Sequence, residues 1–524
     1  MHCSSPQALA EESVVEGHLY TLRRGVLPVY SKSLYCRIEP LARRKYYLVD
    51  PPQFIQVTES AYVEPELCNY FALQMAQSHD TCQSIARVYN LSLGTSTFPN
   101  TSRLDDQMTG ELVLDSFILH AIMQDKKNRH EILSLPHHGY QNHRYDEAMA
   151  ERNCQMAGTG QPMWAHACNR CMKLYRGEDG NWYCMTAGVH DGVNVRHLCC
   201  SVHECQDALP SQRDYFCLAH ANLINQCCIV GCKELAQPGF RTCTVKAHRA
   251  FQKHADMRNS AMFQLRARLN KANISDVPLA GSSSTSMPTP SSLPPSLVVP
   301  DSQSQSNETA PPPVASLPVK GKLSRSWTHN EQLFVRCCGV ITSRATLFGS
   351  EAITGVKTFL KATFPPKYPG ALPSYIFYDN NCGFPKHIRA SGDTFFDDVG
   401  LPVNVFHFKC KHTERDEFCQ THCNPGRFRE LIDSEGKWVF NSSAAEQANV
   451  WFGKFQNVVQ DMPVLKYNFF LDEMIAIHNE HIVFELRSQG HAPHIQSESL
   501  LLGGFPFVSG SAPSATMATT TTAM

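Results

Sequence analysis

The residues best placed to do chemistry are cysteines and histidines at short, paired spacings. The 524-residue chain holds 22 Cys and 24 His, and twelve of the Cys fall between Cys154 and Cys243. Cys168 and Cys171 form a C-x2-C pair, and the segment RHLCCSVHEC supplies His197, Cys199, Cys200, His203 and Cys205. Cys217 and His220 make a C-x2-H pair, Cys228 and Cys232 a C-x3-C pair, and Cys243 with His248 closes the series. One turn of chain can present two such ligands to a metal, and two pairs complete a tetrahedral zinc site. A plausible partition puts Cys228, Cys232, Cys243 and His248 in one site. Cys168, Cys171, Cys199 or Cys200, Cys205, Cys217 and His220 then serve one or two more, with His197 a further candidate. Cys184 and Cys227 have no pair of their own and are weaker candidates.

These ligands point to structural rather than catalytic zinc. A catalytic site keeps an open coordination position beside a general base, whereas this stretch offers ligands in excess and few carboxylates. A thiolate held by metal is also not free to act as a nucleophile, which argues against a Cys–His catalytic pair. The N-terminus MHCSSPQALAEESVVEG lacks a basic region and an apolar core, so export and disulfides are not expected. No run approaches 18 apolar residues, so no membrane span is expected. The 47 basic and 48 acidic side chains nearly cancel, which leaves nucleic-acid binding to local patches. One such patch follows the cluster, where Lys246, Arg249, Lys253, Arg266 and Arg268 suit either a phosphate-contacting face or a solvated helix.

Positioning these residues requires several domains, and the expected class is multidomain α+β. Residues 1–160 form an N-terminal α/β region with two short strands in 45–63, one or two helices in 65–90, and helices over 111–133 and 144–158. Residues 161–272 are the Cys/His module with its basic helix. Residues 273–325 are a Ser/Pro-rich linker that cannot bury enough apolar surface to fold. In 326–487 strands alternate with helices, which indicates an α/β layer. Its first strand is FVRCCGVITSRATLF, and further strands are PSYIFYD and LPVNVFHF. A second possible metal group, His407, Cys410, His412, Cys419, His422 and Cys423, lies inside this unit. Residues 488–524 are a disordered tail.

The run from WAHACNRC through HLCCSVHEC, FCLAH and CKELAQPGFRTC to AHRAF resembles the sixth variant of the CxC-type cysteine clusters associated with KDZ (Kyakuja–Dileera–Zisupton) transposases, of fungal type. KYYLVDPPQFIQVTESAYVE is similar to the companion cluster upstream of it in such proteins. RSWTHNEQLFVRCCGVITSRATLFGSEA, YDNNC, FHFKCKH, EFCQTHCNP and NSSAAEQANVWFGKF resemble the transposase-derived domain. The resemblance implies structural Zn2+, a nuclear protein with DNA as partner, and an RNase H-like fold for 326–487. It also implies three carboxylates that hold Mg2+ or Mn2+ for phosphoryl transfer. Asp379 matches the second of these and Glu446 the third, although both also suit plain strand-end and helix-start acids.

The first carboxylate is missing from its expected strand. Between Asp301 and Asp379 the only acids are Glu308, Glu331 and Glu351, and none lies in FVRCCGVITSRATLF. The expectation is therefore a transposase-derived, DNA-associated zinc protein without strand-transfer activity. The alternatives are an active transposase or a zinc-stabilised scaffold for protein partners. Oligomeric state is left open.

Overall fold

Seven consecutive residues, Cys184–His190, are buried, as a central strand covered on both faces requires. They belong to Trp182–Val193, and the computed structural model sets this strand among partners that are distant in sequence. The structure describes residues 10–11, 14–32, 34–35, 53–93, 107–136, 143–176, 180–259, 319–411 and 416–503. The chain divides into a larger unit, up to Arg213 and from Trp327 onward, and a smaller one, Asp214–Ser326.

In the larger unit, β1 (Val15–Thr21) and β2 (Gly25–Ser31) form an antiparallel hairpin. Strand β1 also runs parallel to β4 (Ala61–Val63), which pairs in turn with β3 (Ile55–Gln56). Helices α1 (Pro65–Leu73) and α2 (Cys82–Ser92) follow, joined through a wide turn at Gln74–Ser78. Thr81 and Thr109 cap α2 and α3 (Gly110–Asn128), each accepting a hydrogen bond from the backbone amide three residues on. The buried side of α3 is wider than one face. Val113, Ser116 and Leu119 are buried along with Phe117, Ile118 and Ile122, because α3 packs against α1, α2 and α4 (Asp146–Met156) and sets Phe117 against Phe469 and Phe470.

The second sheet is built from β5 (Met172–Arg176), β6 (Trp182–Val193), β7 (Asn330–Arg336), β8 (Ile341–Leu347) and β9 (Tyr375–Tyr378), in the spatial order β8-β7-β6-β9 with β5 also on β6. Strand β7 is antiparallel to both β6 and β8, whereas β9 runs parallel to β6. Helices α6 (Ile353–Thr363), α7 (Phe384–Ser391), α8 (Val405–Lys411), α9 (Ala444–Phe452) and α10 (Val464–Ser488) belong to the same unit.

Three expectations change here. FVRCCGVITSRATLF is a hairpin rather than one strand, turning at Cys337–Cys338–Gly339 with Gly339 at φ +100°. VNVFHF is helical from Val405, because the Asn404 side chain accepts from the Phe406 amide and starts the helix there. Most consequentially, β6 comes from the stretch assigned to the cysteine module yet occupies the middle of the sheet containing β7, β8 and β9. Ligand pairs on both sides of it obscure the strand signal in the sequence.

Glu331 is fully buried on β7 and is not available to a metal. It pairs with Arg344 on β8 at 2.5 Å and accepts from the Tyr467 hydroxyl at 2.8 Å, while Arg344 also holds Asp472 at 2.9 Å. Breaking such a buried pair leaves an uncompensated charge, so Arg344→Ala is expected to lower stability by about 3–5 kcal/mol. Urea denaturation of the pure proteins checks this; a loss under about 1 kcal/mol would contradict it.

In the smaller unit, the buried apolar core is Cys227, Ile229 and Cys243, with Phe251 and Val319 packed against it. Among its described residues the longest helix is α5 (Lys246–Asn259). The end of the expected linker is ordered: Gly321 bridges to Ile229, and the Val230 amide donates to Lys320 O at 2.9 Å. The rest of the linker, 273–318, and the expected tail beyond 503 lie outside the described residues, whereas the start of that tail is ordered, with a strand at His494–Ile495 and a helix at Glu498–Leu501. Among the described residues, no helix is long and apolar enough to cross a membrane.

Candidate metal centres

The carboxylates converge at one end of the second sheet. Asp191 follows His190 on β6, Asp379 follows Tyr378 on β9, and His190 and Tyr378 are register partners on these adjacent parallel strands. The two aspartates therefore occupy matching positions side by side. Glu446 enters from the first turn of α9, which packs on β6 and β7. His407 on α8 brings its Nδ1 within 2.7 Å of Asp379 Oδ1 and 3.6 Å of Glu446 Oε1. Asn404 donates to Glu446 Oε1, and Asn449, one turn beyond Glu446, donates to Asp191 Oδ2 at 2.8 Å. Gly192 leaves room for this arrangement, since a Cβ there would collide with the Asn330 amide. Glu351 stands close by, accepting from Asn330 at 3.0 Å and from Tyr378 at 3.2 Å.

Asp191 lies before the linker, outside the 326–487 unit in which the resemblance implies the first carboxylate. Its place before a glycine at the end of an apolar run was the available signal. Glu331 and Glu351, the acids flanking the expected strand, do other work.

The centre is built to hold positive charge. Burial, with Asp379, Glu446 and Glu351 nearby, pushes the Asp191 carboxyl up to about 7, against the smaller opposing effect of the Gly192 amide. Burial and Asp379 also raise Glu446, whose Oε2 is buried with no hydrogen-bond partner. The ligand atoms of Asp379, His407 and Glu446 all lie within 4.8 Å of one another. A hard divalent cation with oxygen ligands fits this donor set and would relieve the repulsion among its acids.

The raised Asp191 carboxyl makes stability depend on pH. An unfolded aspartate ionises near about pH 3.9. Between that pH and 7 the folded chain keeps a proton that the unfolded chain has released, so rising pH opposes folding. In divalent-free buffer, Asp191→Asn is expected to exceed the parent in stability by about 2 kcal/mol at pH 8, after discounting for solvent screening, and to match it near pH 4. Denaturant melts at the two pH values check this, and equal stability at pH 8 would refute it.

Groups of sulfur and imidazole ligands also assemble from the paired spacings. In the smaller unit, Cys227, Cys232, Cys243 and His248 form one set, with Cys243 Sγ and Cys227 Sγ at 3.2 and 3.6 Å from His248 Nδ1. Cys227 therefore takes the place expected of Cys228. Neighbouring residues of an extended chain face opposite ways, so only one of the doubled cysteines can join. In the larger unit, Cys168 and Cys171 meet His166 and Cys338, neither of which the spacing had nominated. Cys217 and His220 also come together within the smaller unit, Sγ to Nδ1 3.2 Å.

His197 is not among these ligands. His197 is buried against the Tyr467 ring at 4.3 Å, and burial takes its pKa down to about 4. Cys199 and Cys200 are buried and Cys205 is half-buried, all in the larger unit. The second Cys/His group does not form as a set: His407 turns to the carboxylates and Cys410 is exposed. Cys419 contacts Asp416 at 3.2 Å, and Cys423 donates to Asn381 O at 2.9 Å. His412 lies outside the described residues, as do Arg266 and Arg268. Of the basic helix, Lys246 and Lys253 are exposed, whereas Arg249 stacks over the Phe240 ring at 3.2 Å.

Residues 189–254 match the family model of the CxC6 like cysteine cluster associated with KDZ transposases, and residues 1–93 that of the CxC5 like cluster associated with the same transposases. The chain carries both KDZ-associated clusters. The CxC6 match takes in Asp191 and the whole Cys227–His248 set, whereas WAHACNRC precedes it. The CxC5 match spans the first sheet with α1 and α2, where the described cysteines are Cys68 and Cys82. No curated protein and no solved structure matches the chain.

Proposed function

We propose that this transposase-derived zinc-binding protein retains an RNase H-like, divalent-metal-dependent centre for DNA cleavage and strand transfer. The observation that carries this reading is the position of Asp191 beside Asp379 on adjacent parallel strands, with Glu446 facing both from α9. It supplies the acid whose apparent absence had argued for an inactive protein. The strand order β8-β7-β6-β9, with three antiparallel strands and a fourth parallel to the first, supports the RNase H-like reading.

Asp191, Asp379 and Glu446 would hold the Mg2+ or Mn2+ ions. When bound, such ions would stabilise the attacking and leaving oxygens of an in-line displacement at phosphorus. The protein's own part is positioning. Asn449 fixes the Asp191 carboxylate, Asn404 fixes Glu446, and His407 holds Asp379 against Glu446. A water or a DNA 3′-hydroxyl is the nucleophile, and the DNA 3′-oxygen on the far side of the phosphorus leaves. In the smaller unit, Cys227, Cys232, Cys243 and His248 bind structural zinc, and the exposed Lys246 and Lys253 suit phosphate contacts. Nuclear residence follows from a DNA substrate.

Nicking of supercoiled plasmid by the full chain with Mg2+ or Mn2+ tests the reading. Activity that needs the divalent ion supports it, and none with either ion would refute it. DNA affinity should also fall with salt, by a log–log slope of about -0.9 per phosphate neutralised.

A further inference from the structure

We propose that His166, Cys168, Cys171 and Cys338 bind a structural zinc ion that pins the β7–β8 turn to the chain entering β6. This site is separate from the carboxylate centre and lies outside both matched clusters. The four ligand atoms lie within 4.8 Å of one another. Cys168 Sγ and Cys171 Sγ are 3.7 Å apart, and Cys338 Sγ is 3.3 Å from His166 Nε2. A tetrahedral zinc, with Zn–S near 2.3 Å and Zn–N near 2.0–2.1 Å, sets sulfurs about 3.8 Å apart and sulfur to nitrogen about 3.6 Å. The side chains already stand near the corners such an ion demands.

The local backbone is shaped for ligation. The amides of Cys171 and Met172 both donate to Cys168 O, at 3.1 and 2.9 Å, folding the C-x2-C pair into a tight knuckle with both thiols on one side. Cys338 is carried in by the hairpin turn before Gly339, and His166 by a short strand paired with His494–Ile495. His166, Cys168 and Cys171 are at most 2% exposed.

A second, independent observation is Arg336. Its side chain is 2% exposed, its Nε has no hydrogen-bond partner, and no carboxylate pairs with it among the described residues. The groups bearing on its charge are the thiols Cys171, Cys338, Cys337 and Cys184. A buried cation without a counter-charge is strongly unfavourable. Zinc with three thiolates and a neutral imidazole carries one net negative charge, which matches one guanidinium. A disulfide would use two of the three thiols, strand the third beside the imidazole, and leave Arg336 uncompensated.

The ion would act on the sheet as a clasp. The Ala187 amide donates to Cys171 O at 3.3 Å, and Met172 pairs with Thr186, so the knuckle sits at the root of the strand that carries Asp191. Closing Cys171 onto Cys338 also removes a long loop's freedom from the unfolded chain.

Zinc counting on the full chain, purified under reductant and weighed by native and denaturing mass spectrometry, tests the site. Cys338→Ser is expected to carry one zinc fewer than the parent, and Cys338→Ser/Cys243→Ser two fewer. Cys184→Ser, a buried thiol nearby that is not a ligand, keeps the parental count. A parental count in Cys338→Ser overturns the proposal, and so does a disulfide among Cys168, Cys171 and Cys338 in the parent. If Cys338→Ser does not fold, thiol alkylation of the zinc-loaded parent decides: protection of Cys338 that a chelator removes supports the site, and a labelling rate unchanged by the chelator overturns it.

Discussion

Asp191→Asn is expected to abolish divalent-dependent nicking, lowering the rate by at least about 10³-fold, the scale seen when one group of a preorganised transition-state site is removed. Asp379→Asn and Glu446→Gln should fall equally far, because the three carboxylates act on the same cations. Residues that act as a unit are strongly non-additive, so the triple variant should be little worse than any single one. Initial rates on supercoiled plasmid give the measurement. An Asp191→Asn chain that cuts at the parental rate while Asp379→Asn is dead would remove Asp191 from the centre. Because the asparagine is expected to stabilise the divalent-free chain at pH 8, unfolding offers no alternative account of lost activity.

The second large effect separates two adjacent cysteines. Cys227→Ser is expected to lose a zinc ion and unfold the smaller unit, while Cys228→Ser keeps both ion and fold. Among the described residues, the unit's buried apolar cluster is as small as Cys227, Ile229 and Cys243, so metal must supply most of its stability. Apparent binding free energies of structural zinc are about 10–16 kcal/mol, far more than so small a core can provide. Proteolysis of the full chain followed by mass mapping reads this out. Cleavage within 214–259 should appear in Cys227→Ser and in chelator-treated parent, and not in Cys228→Ser. The reverse pattern would restore the assignment that spacing favoured.

That near miss shows what local pattern can and cannot reveal. Paired spacing found Cys232, Cys243 and His248, because a metal ligand pair is a local device made by a single turn. It could not choose between Cys227 and Cys228, which differ only in the face of the chain they occupy. The helices from 65 to 156 were readable for the same local reason. Asp379 and Glu446 stood out at a strand end and a helix start. Asp191 did not, since its strand lies among ligand pairs and its sheet partner begins 136 residues later, between Val193 and Asn330. Cys338 was hidden more deeply, because only the β7–β8 turn brings it to Cys168 and Cys171.

The same separation of β6 from β7 bears on how the protein is made. Translation at about 5–20 residues per second takes roughly 7–27 seconds to cover the intervening 136 residues. Throughout that time the segment Cys184–His190 lacks β7, its neighbour in the finished sheet, although β5 is already made. An uncharged strand with an open edge is a template for association with other chains. The nascent chain is therefore exposed to aggregation for longer than its size suggests, and its yield should respond to chaperone supply and to translation speed.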